Sequence, residues 1–450
     1  MNRPPAAPPP LSAAAGQPPA WYTLAWLLAL PGVALYLLWR SARQGEYRRH
    51  WAERFLGHGP AFPSQAPGPR IWVHAVSVGE TRAAQPLVEL LARAHPGAHF
   101  LLTHMTPTGR AAGADLVRAL PGRIVQRYLP YDLPFAVGRF LRETRPGAGV
   151  LMETEIWPQL LGAAHARGIP IVLANARLSP RSLSKALRQP ALMRRAAAAI
   201  TVVGAQTAAD RARIAQLYAG PVQVTGNGKF DITPDPGLIA LGHLLRGRLR
   251  TALGERPLWL FASTRDGEEK LIIEALARSA EAAAARPVLL FVPRHPQRFD
   301  AVAGLLRETG AAVLRRAHWD ELPRDLAPGT VLLGDSMGEM ALYYAMADAA
   351  LIGGSLLPLG GQNLIEACAS GCPVVLGPHM FNFAGAAADA IAAGAARSAT
   401  DAADALRGLA ALSAAPAVRQ AMAAAGLAFA AAHRGATART AALIEGALGV

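Results

Sequence analysis

The chain has 450 residues, 52% of them hydrophobic, and 45 basic against 31 acidic side chains give it a net charge of +14. A chain of this length is too long to fold around one ordinary hydrophobic core, so two domains of roughly 150–200 residues are expected. Its two cysteines are too few for a disulfide framework. The charge suits nucleic acid, anionic lipid or a phosphorylated substrate, but no zinc-finger spacing, aromatic-studded RNA-binding motif or basic helix occurs, so nucleic acid is not an expected partner.

The first predicted element is an apolar helix. Residues 1–20 are rich in Pro and Ala and are predicted to be disordered, whereas Trp21 to Trp39 carry no charge and are long enough to cross a bilayer. Only Arg3 precedes this segment, and the arginines that follow it are Arg40, Arg43, Arg48, Arg49 and Arg54. The positive-inside rule therefore predicts a single-pass signal anchor over residues 21–39, with the rest of the chain in the cytoplasm. A cleaved signal peptide is one alternative, and Pro31-Gly32 leaves a kinked or interfacial helix as another.

Beyond the anchor, short apolar runs alternate with alanine-rich helical segments, a pattern typical of βαβ units and parallel sheets. The first series of predicted strands is Ile71–Val76, Phe100–Thr103, Val150–Met152, Ile171–Ala174, Ile200–Val203 and Val222–Thr225. The second series is Leu258–Ala262, Val288–Val292, Ala312–Leu314, Val331–Leu333, Ala349–Ile352 and Val374–Leu376. The Pro-rich connection Asp231–Gly237 separates them, so we predict two Rossmann-like, doubly wound α/β domains, residues 40–234 and 235–450. In such folds ligands bind at the carboxyl ends of the strands, here in a crevice between the domains.

Acidic side chains follow two predicted strands of the first domain. Glu80, in S-V-G-E, opens the helix after the first strand, where it is either a partner of the helix dipole or a general base for a hydroxyl group. Glu153 and Glu155, in E-T-E-I-W-P, directly follow another strand. Two carboxylates this close are unfavourable unless one is exposed, protonated or paired with a cation. At least one of them therefore has either a role in the site or a structural role, and both alternatives stay open.

Other strand ends of the first domain carry polar residues and a lysine. The turn Thr103 to Gly109, T-H-M-T-P-T-G, either grips an anionic group or merely caps a helix, and N-A-R-L-S, Asn175 to Ser179, adds an arginine. Lys229, in G-N-G-K-F-D, stands in a chain whose default cation is arginine. We therefore favour a charge-neutralising role for Lys229 over a merely solvated one.

Three strand ends of the second domain carry hydroxyl, charged or glycine residues. They are Ser263 and Thr264 in A-S-T-R-D-G-E-E, Pro293 and Arg294 in F-V-P-R-H-P, and Met337, Gly338 and Glu339 in G-D-S-M-G-E-M. The hydroxyl pair is predicted to cap a helix or bind phosphate. The prolines on both sides of Arg294 and His295 fix the backbone, as suits a binding site.

The most informative strand end is Gly353 to Glu366, G-G-S-L-L-P-L-G-G-Q-N-L-I-E. Its two Gly-Gly pairs let the backbone approach a ligand without a Cβ clash. A helix beginning near Gln362 or Asn363 would aim free N–H groups at a phosphate, and Glu366, about one turn in, would accept hydrogen bonds from sugar hydroxyls. The residues predicted here to contact a nucleotide sugar are Gly353, Gly354, Asn363 and Glu366, and a glycine-rich loop with a capping residue is the alternative.

Several common sites are missing from the sequence. It has no G-x-x-x-x-G-K-[ST], no strand-linked G-x-G-x-x-G and no H-E-x-x-H. No D-x-D follows a strand to hold a metal–diphosphate pair. We therefore predict a site without metal or cofactor, in which arginine, lysine and helix dipoles handle the charges.

These motifs, jointly and in this order, resemble the Kdo (3-deoxy-D-manno-oct-2-ulosonic acid) transferases of Gram-negative bacteria, over the chain to about Phe383. The resemblance implies the GT-B architecture and inverting transfer of Kdo from CMP-Kdo to the lipid A precursor (lipid IVA) in lipopolysaccharide core biosynthesis, at the cytoplasmic face of the inner membrane. It also implies that Glu80 is the proton acceptor and that Glu153 and Lys229 stabilise the transition state. The nucleotide residues that it implies are Pro293, Arg294, Met337, Gly338, Glu339, Asn363, Leu364, Ile365 and Glu366.

The chain departs from this family's pattern at two positions. Gln362 stands where family members often have a histidine, so an acid role there is in doubt, and Arg265 adds a cation in S-T-R-D-G-E-E where S-T-H-E-G-E-E is frequent. Two alternatives remain open: a UDP-sugar transferase or epimerase of the same architecture, and a non-catalytic nucleotide-sugar-binding protein at the membrane. The sequence does not fix the oligomeric state or the number of Kdo residues transferred.

Overall fold

The computed structural model describes residues 16–63, 68–231, 233–319, 326–327 and 329–449, without the side chain of Lys229. The chain forms two compact units. The first contains residues 1–231 together with the C-terminal segment Gly435–Val450, and the second contains Ile232–Arg434. The predicted disordered start lies mostly outside the described residues.

Each unit is built on a seven-stranded parallel sheet. The strands of the first unit are β1 (Arg70–His74), β2 (His99–His104), β3 (Ile124–Tyr128), β4 (Ala148–Met152), β5 (Ile171–Ala176), β6 (Val202–Ala205) and β7 (Val222–Val224). Those of the second are β8 (Leu258–Thr264), β9 (Val288–Pro293), β10 (Val313–Arg315), β11 (Val331–Leu333), β12 (Ala349–Ile352), β13 (Val374–Leu376) and β14 (Ala396–Ser398). Their orders are β3-β2-β1-β4-β5-β6-β7 and β10-β11-β9-β8-β12-β13-β14, so both sheets are doubly wound as predicted.

Two strands were not predicted from the sequence, β3 and β14. Both lie at a sheet edge, where one side has no neighbouring strand, and both include polar residues, as in I-V-Q-R-Y and A-R-S. Neither therefore shows the apolar run that marks a strand buried on both faces. The run Ile200–Val203 was placed two residues too early, since β6 begins at Val202.

The described helices lie before, between and after these strands. In the first unit they are α1 (Ala20–Arg43), α2 (Trp51–Leu56), α3 (Val78–Ala94), α4 (Pro107–Ala119), α5 (Pro134–Thr144), α6 (Pro158–His165), α7 (Pro180–Ala186), α8 (Pro190–Ala197) and α9 (Ala208–Ile214). In the second they are α10 (Pro236–Leu253), α11 (Glu268–Arg278), α12 (Ala280–Ala285), α13 (Phe299–Glu308), α14 (Met340–Met346), α15 (Ile365–Ala369), α16 (Ala384–Ala392), α17 (Ala402–Ala414) and α18 (Pro416–His433). The last helix is α19 (Ala436–Leu448).

Helix α19 belongs to the first unit, although the sequence analysis assigned residues 235–450 to the second domain. Ile444 is fully buried in the core of the first sheet. The carboxylate of Asp231 accepts hydrogen bonds from the backbone N–H groups of Gly435 (2.8 Å) and Thr437 (2.7 Å), which lie at the start of α19. The chain therefore returns to the first unit because this helix buries its apolar face there and Asp231 satisfies its first amides.

Helix α1 contains the predicted anchor segment. It is 24 residues long with a mean hydropathy of 1.6, and among the described residues it is the one helix long and apolar enough to cross a membrane. Pro31 lies inside it without ending it.

Candidate active site

In the first unit, the turn after β1 holds the carboxylate of Glu80 in one orientation. Ser77 is the N-cap of α3, and Glu80 is the third residue of that helix. The Glu80 carboxylate accepts hydrogen bonds from the Val76 backbone N–H (2.9 Å) and from the Ser77 hydroxyl (3.0 Å). S-V-G-E is thus a capping box, in which a residue at the third helical position reaches back to the cap. The side chain is mostly buried, with 9% exposed.

Two further carboxylates lie near Glu80. The pKa of Glu155 is raised to about 7, mainly by burial and in smaller part by the negative charges of Glu80 and Glu153, against a hydrogen bond from Trp157 Nε1 (2.9 Å) that lowers it. The sequence analysis expected that one member of this group would be exposed, protonated or paired. The structure assigns the protonated state to Glu155 below about pH 7.

Glu153 is held by an unusual backbone. It has φ +61°, a conformation that L residues rarely adopt, and its N–H donates to Ala174 O at 2.9 Å. This places the half-buried Glu153 side chain at the end of β4, directly after the strand.

The turn after β2 caps a helix. Thr106 is the N-cap of α4 and accepts a hydrogen bond from Gly109 N–H (3.1 Å). Burial lowers the pKa of His104 to about 4, so this histidine is neutral at pH 7 and supplies no charge for an anion. Of the two readings of T-H-M-T-P-T-G, the structure supports the cap.

The ends of β5 and β7 are joined through Asn175. Its side-chain oxygen accepts a hydrogen bond from Gly228 N–H (3.2 Å), and its backbone oxygen accepts one from Gln206 Nε2 (3.0 Å). The buried Nδ2 of Asn175 has no hydrogen-bond partner among the described residues. These contacts bring the Gly228–Phe230 turn to the end of β5, but the side chain of Lys229 lies outside the described residues.

A cavity of about 620 Å³ opens beside the Glu153–Glu155 loop. Thr154 and Ile156 form part of its wall, and Tyr22 of α1 forms another part. The remaining lining is mainly apolar and includes Leu173, Leu178, Leu192, Met193, Ile200 and Leu217, together with Lys185. An apolar chain of a ligand fits such a lining, whereas a free anion does not.

In the second unit, the first glycine pair packs against protein backbone. A Cβ at Gly353 would lie 2.4 Å from Ser263 O and 2.7 Å from the Cα of Thr264. Gly354 has φ +66°. Gly353 is therefore required because the end of β12 passes close to the end of β8, and the expected approach of this pair to a ligand stays a prediction.

The amides of this loop are held by a buried carboxylate that the sequence analysis did not single out. Glu268, the first residue of α11, is fully buried. It accepts hydrogen bonds from the N–H groups of Arg265 (2.8 Å), Gly354 (2.6 Å) and Leu356 (3.0 Å). The Gly354 N–H is therefore satisfied within the protein by Glu268, and the role of Gly354 in binding a nucleotide sugar stays a prediction.

The second glycine pair sets the direction of the chain. Gly360 and Gly361 have φ +93° and +76°, and a Cβ at Gly361 would lie 2.3 Å from the sulfur of Met380. Helix α15 begins at Ile365, two to three residues later than predicted, and Ile365 N–H donates to the side-chain oxygen of Asn363 (3.0 Å). The N-cap position itself is Leu364, so Asn363 supports the first turn from one residue earlier. Glu366 is the second residue of a helix of only 5 residues, whose dipole is small.

Cationic side chains surround the Gly353–Glu366 loop. Arg294 Nε donates to Gln362 Oε1 at 3.2 Å. Burial raises the pKa of Glu366, and the nearby charge of Arg294 opposes this rise. Desolvation lowers the pKa of His295, and the charges of Arg265, Arg294 and Arg298 lower it further. Gln362, the residue that departs from the family pattern, thus positions an arginine.

Thr264 and Arg298 are joined through a second buried carboxylate. Glu269 is fully buried and accepts a hydrogen bond from Thr264 Oγ1 (2.6 Å). Arg298 binds the same carboxylate with two bonds of 2.8 Å. The Thr264 hydroxyl therefore bonds within the protein. Ser263 has φ +57° and its hydroxyl lies 3.8 Å from the sulfur of Met340, and its contact with a ligand stays a prediction.

The loop before α14 presents Met337 and Gly338 but ties down Glu339. Met337 is 60% exposed and Gly338 has φ +82°. The Glu339 carboxylate accepts two hydrogen bonds from Arg316, at 2.8 and 3.0 Å, and one from Ser336. Contact with a sugar or base through this carboxylate would compete with that pairing. The sequence offered no signal for Arg316, which follows the edge strand β10.

Among the described residues, no group of three or more His, Cys, Asp or Glu side chains is arranged to hold a metal ion. The expectation of a metal-independent site stays a prediction.

Comparison with known proteins identifies the family. Residues 49–232 match the family model described as 3-Deoxy-D-manno-octulosonic-acid transferase (kdotransferase). The 3-deoxy-D-manno-octulosonic acid transferase of Bordetella pertussis is 48% identical over 435 residues, which covers 95% of this chain and 99% of that protein. The protein of the same name from Haemophilus influenzae is 37% identical over 366 residues, covering 81% of this chain and 83% of that protein.

A solved structure supports the fold. The UDP-GlcNAc 2-epimerase from Neisseria meningitidis, bound to UDP-GlcNAc, matches 85% of this chain and 100% of that chain with a TM-score of 0.53 and 13% identity. At this identity the likeness concerns architecture alone, and it agrees with the predicted GT-B fold. With relatives of 48% and 37% identity along most of its length, the chain belongs to the 3-deoxy-D-manno-octulosonic acid transferase family and is a glycosyltransferase.

Proposed function

We propose that this protein transfers Kdo from CMP-Kdo, with inversion, to a sugar hydroxyl of the lipid A precursor (lipid IVA). The names of its relatives specify the transferred sugar. Two sets of strand-end residues, one in each unit, support the assignment of the donor and the acceptor.

The second unit supplies the donor side. Departure of CMP leaves negative charge on its phosphate, and Arg265 and Arg294 lie beside the Gly353–Glu366 loop. Preorganised cations at the place where charge develops lower the barrier without reorganisation. We expect Arg294 to contact the phosphate and Glu366 to contact ribose hydroxyls. Because arginines supply this charge, we expect activity to survive EDTA.

The first unit supplies the acceptor side. A sugar hydroxyl is a poor nucleophile until its proton is removed, and the Glu80 carboxylate is held by Val76 N–H and the Ser77 hydroxyl in a fixed orientation. Both donors hold the carboxylate in place, and a positioned carboxylate is the kind of group that acts as a general base. Glu153, at the end of β4, and Lys229, in the Gly228–Phe230 turn, are proposed to stabilise the charge that develops at the transition state.

The acceptor carries acyl chains, and two features of the first unit suit them. The cavity of about 620 Å³ beside Thr154 and Ile156 is mainly apolar. Tyr22 of the apolar helix α1 lines the same cavity, so it adjoins the helix that we propose attaches the enzyme to the cytoplasmic face of the inner membrane.

The orientation of Glu80 within its capping box is the observation that carries this proposal. The test is an assay with CMP-Kdo and tetraacylated lipid A precursor, in which product mass gives the number of Kdo residues added. Glu80→Gln should lower kcat by about 10²–10⁴-fold while CMP still raises the unfolding temperature. Glu89→Gln, on the same helix α3 where Glu89 accepts from Gln85, is the matched control and should retain activity.

Two results would contradict the proposal. Turnover by Glu80→Gln equal to that of Glu89→Gln would exclude Glu80 as the base. Stronger protection from thermal unfolding by UDP than by CMP would exclude CMP-Kdo as the donor and favour a UDP-sugar enzyme.

A further inference from the structure

Helix α1 has two opposite faces with different surroundings. Tyr22, Trp26, Leu30, Val33 and Leu37 are half-buried or buried and recur every three or four residues, the spacing of one helix face. This inner face packs against the first unit along most of the helix, in one cluster with Tyr131, Leu133 and Ala136.

The contacts of the inner face reach both ends of α1. At its beginning, the Tyr22 hydroxyl donates to Asp132 Oδ2 (2.8 Å), a buried carboxylate. In the next turn, Trp26 stacks on Trp157 with ring centroids 6.4 Å apart. Near its end, Leu37 is 2% exposed. The whole helix is therefore docked on the unit that carries Glu80.

The outer face is apolar and exposed. Trp21, Leu24, Leu28, Leu35 and Trp39 are 49%, 57%, 74%, 67% and 52% exposed. These positions are again spaced by three, four or seven residues, so they form one stripe along the helix. A continuous exposed apolar stripe of this length is unfavourable in water and marks a contact with an apolar partner.

The docking of both ends conflicts with a transmembrane course. At 1.5 Å per residue, Tyr22 and Leu37 lie about 22 Å apart along the helix axis, and a bilayer core is about 30 Å thick. A spanning α1 would carry Tyr22 to the opposite side of the membrane from the first unit, yet Tyr22 is bonded to Asp132 of that unit. The surface of the first unit that lies beside α1 would also have to enter the hydrocarbon core, where each unpaired polar group costs free energy.

We infer that α1 lies in the plane of the membrane interface, with its outer face in the lipid and its inner face on the protein, and that it does not span. The partner is a bilayer with anionic headgroups, because cationic side chains follow the apolar stripe: Arg40, Arg43, Arg48 and Arg49. The guanidinium of Arg43 lies 4.6 Å from the ring centre of Trp39, as suits a residue pair at headgroup level. This placement replaces the single-pass anchor expected from length and hydropathy. Of the proposed function it requires only the attachment to the membrane, and not the donor, the acceptor or the catalytic residues.

The topology can be tested with two cysteine substitutions, made one at a time in the full chain. Gln17→Cys and Gln44→Cys place thiols just before and just after α1, at exposed positions, while the native Cys368 and Cys372 are buried. With a membrane-impermeant maleimide, an in-plane helix leaves both thiols unlabelled in spheroplasts and labels both in inside-out inner-membrane vesicles. Labelling of Gln17→Cys in spheroplasts, with Gln44→Cys reacting only in inside-out vesicles, would show that α1 spans and would overturn the inference.

The lipid contact can be tested with purified full-length protein and vesicles of phosphatidylethanolamine with or without phosphatidylglycerol. Leu28→Asp should weaken vesicle binding by about tenfold or more and leave the unfolding temperature unchanged, because Leu28 points away from the first unit. Leu244→Asp, at an exposed leucine of α10, is the matched control and should bind as wild type. Equal binding of both variants, or binding that does not require phosphatidylglycerol, would overturn the inference. If wild type bound vesicles normally but transferred no Kdo, only the proposed function would be contradicted.

Discussion

The sharpest test of the second unit is Glu268→Gln. Glu268 is fully buried and its carboxylate accepts three backbone hydrogen bonds, from Arg265, Gly354 and Leu356. A glutamine keeps one acceptor oxygen and places an NH₂ group against at least one of these N–H donors. The substitution keeps the size of the side chain, so its effect reports on hydrogen bonding rather than on a cavity.

The magnitude follows from the three bonds. One buried N–H without a partner costs about 1–3 kcal/mol, and two bonds that change from a charged to a neutral acceptor lose about 1 kcal/mol each. The neutral amide is less costly to bury than the carboxylate, which offsets part of this loss, so we expect a net loss of about 2–4 kcal/mol. For a unit of this size that corresponds to a fall in the unfolding temperature of roughly 4–16 °C.

The assay is thermal unfolding with and without CMP. Glu274→Gln changes an exposed carboxylate on the same helix α11 and should shift the unfolding temperature by about 1 °C or less. We also expect CMP to protect the Glu268→Gln variant less than wild type, because the Gly353–Glu366 loop loses its support. If both variants unfold at the same temperature as wild type, Glu268 does not hold this loop.

Three more substitutions test the remaining structural claims. Glu155 has its pKa raised from 4.5 to about 7, so the folded state binds a proton that the unfolded state has already released between those pH values. Wild type should therefore lose stability as pH rises through this window, and above pH 7 Glu155→Gln should be more stable than wild type by about 3 kcal/mol; parallel stability curves from pH 5 to 8 would contradict this. Gly353→Ala should lower the unfolding temperature by several degrees because its Cβ meets backbone 2.4 Å away, whereas Gly385→Ala, with nothing within 4 Å, should not. Ser77→Ala should cost about 1 kcal/mol of stability and, because it frees the Glu80 side chain, should lower kcat more than it changes KM. Ser77→Thr should restore both the stability and the kcat. A normal kcat in Ser77→Ala would show that the cap does not position the base.

The parts of the fold that were predicted from the sequence share one physical property. Strands such as β8 and β12 lie inside a parallel sheet covered on both faces, so each is a short apolar run that stands out against its flanks. The chemistry-bearing residues follow these runs, because parallel sheets place their ligand loops after the strand ends. For the same reason the motifs were assigned correctly to strand ends, although their detailed contacts were not foreseen.

The contacts that were not predicted join positions far apart in the chain. Glu268 meets Gly354 and Leu356 across 86 and 88 residues, and no local pattern distinguishes it from an acidic residue in a first helical turn. Helix α19 likewise returns to the first unit through Asp231, which reads locally as the end of G-N-G-K-F-D. Tertiary partners of this kind are decided by packing, which a single sequence does not display.

The turn at Glu80 shows why local and chemical interpretations of one motif need not compete. As a capping box, S-V-G-E satisfies the Glu80 N–H of α3 through the Ser77 hydroxyl (3.4 Å), while the hydrogen bonds from Val76 N–H and the Ser77 hydroxyl fix the carboxylate in one rotamer. A base held in this way loses no side-chain entropy when the acceptor binds, so its geometry is available before substrate arrives. The sequence analysis weighed a dipole partner against a general base at this position, but a carboxylate fixed by its own helix cap is suited to be both. The two roles separate only on substitution: Glu80→Gln retains an acceptor for the cap and removes the base, so a large loss of kcat with a small loss of stability is the result that distinguishes catalysis from capping.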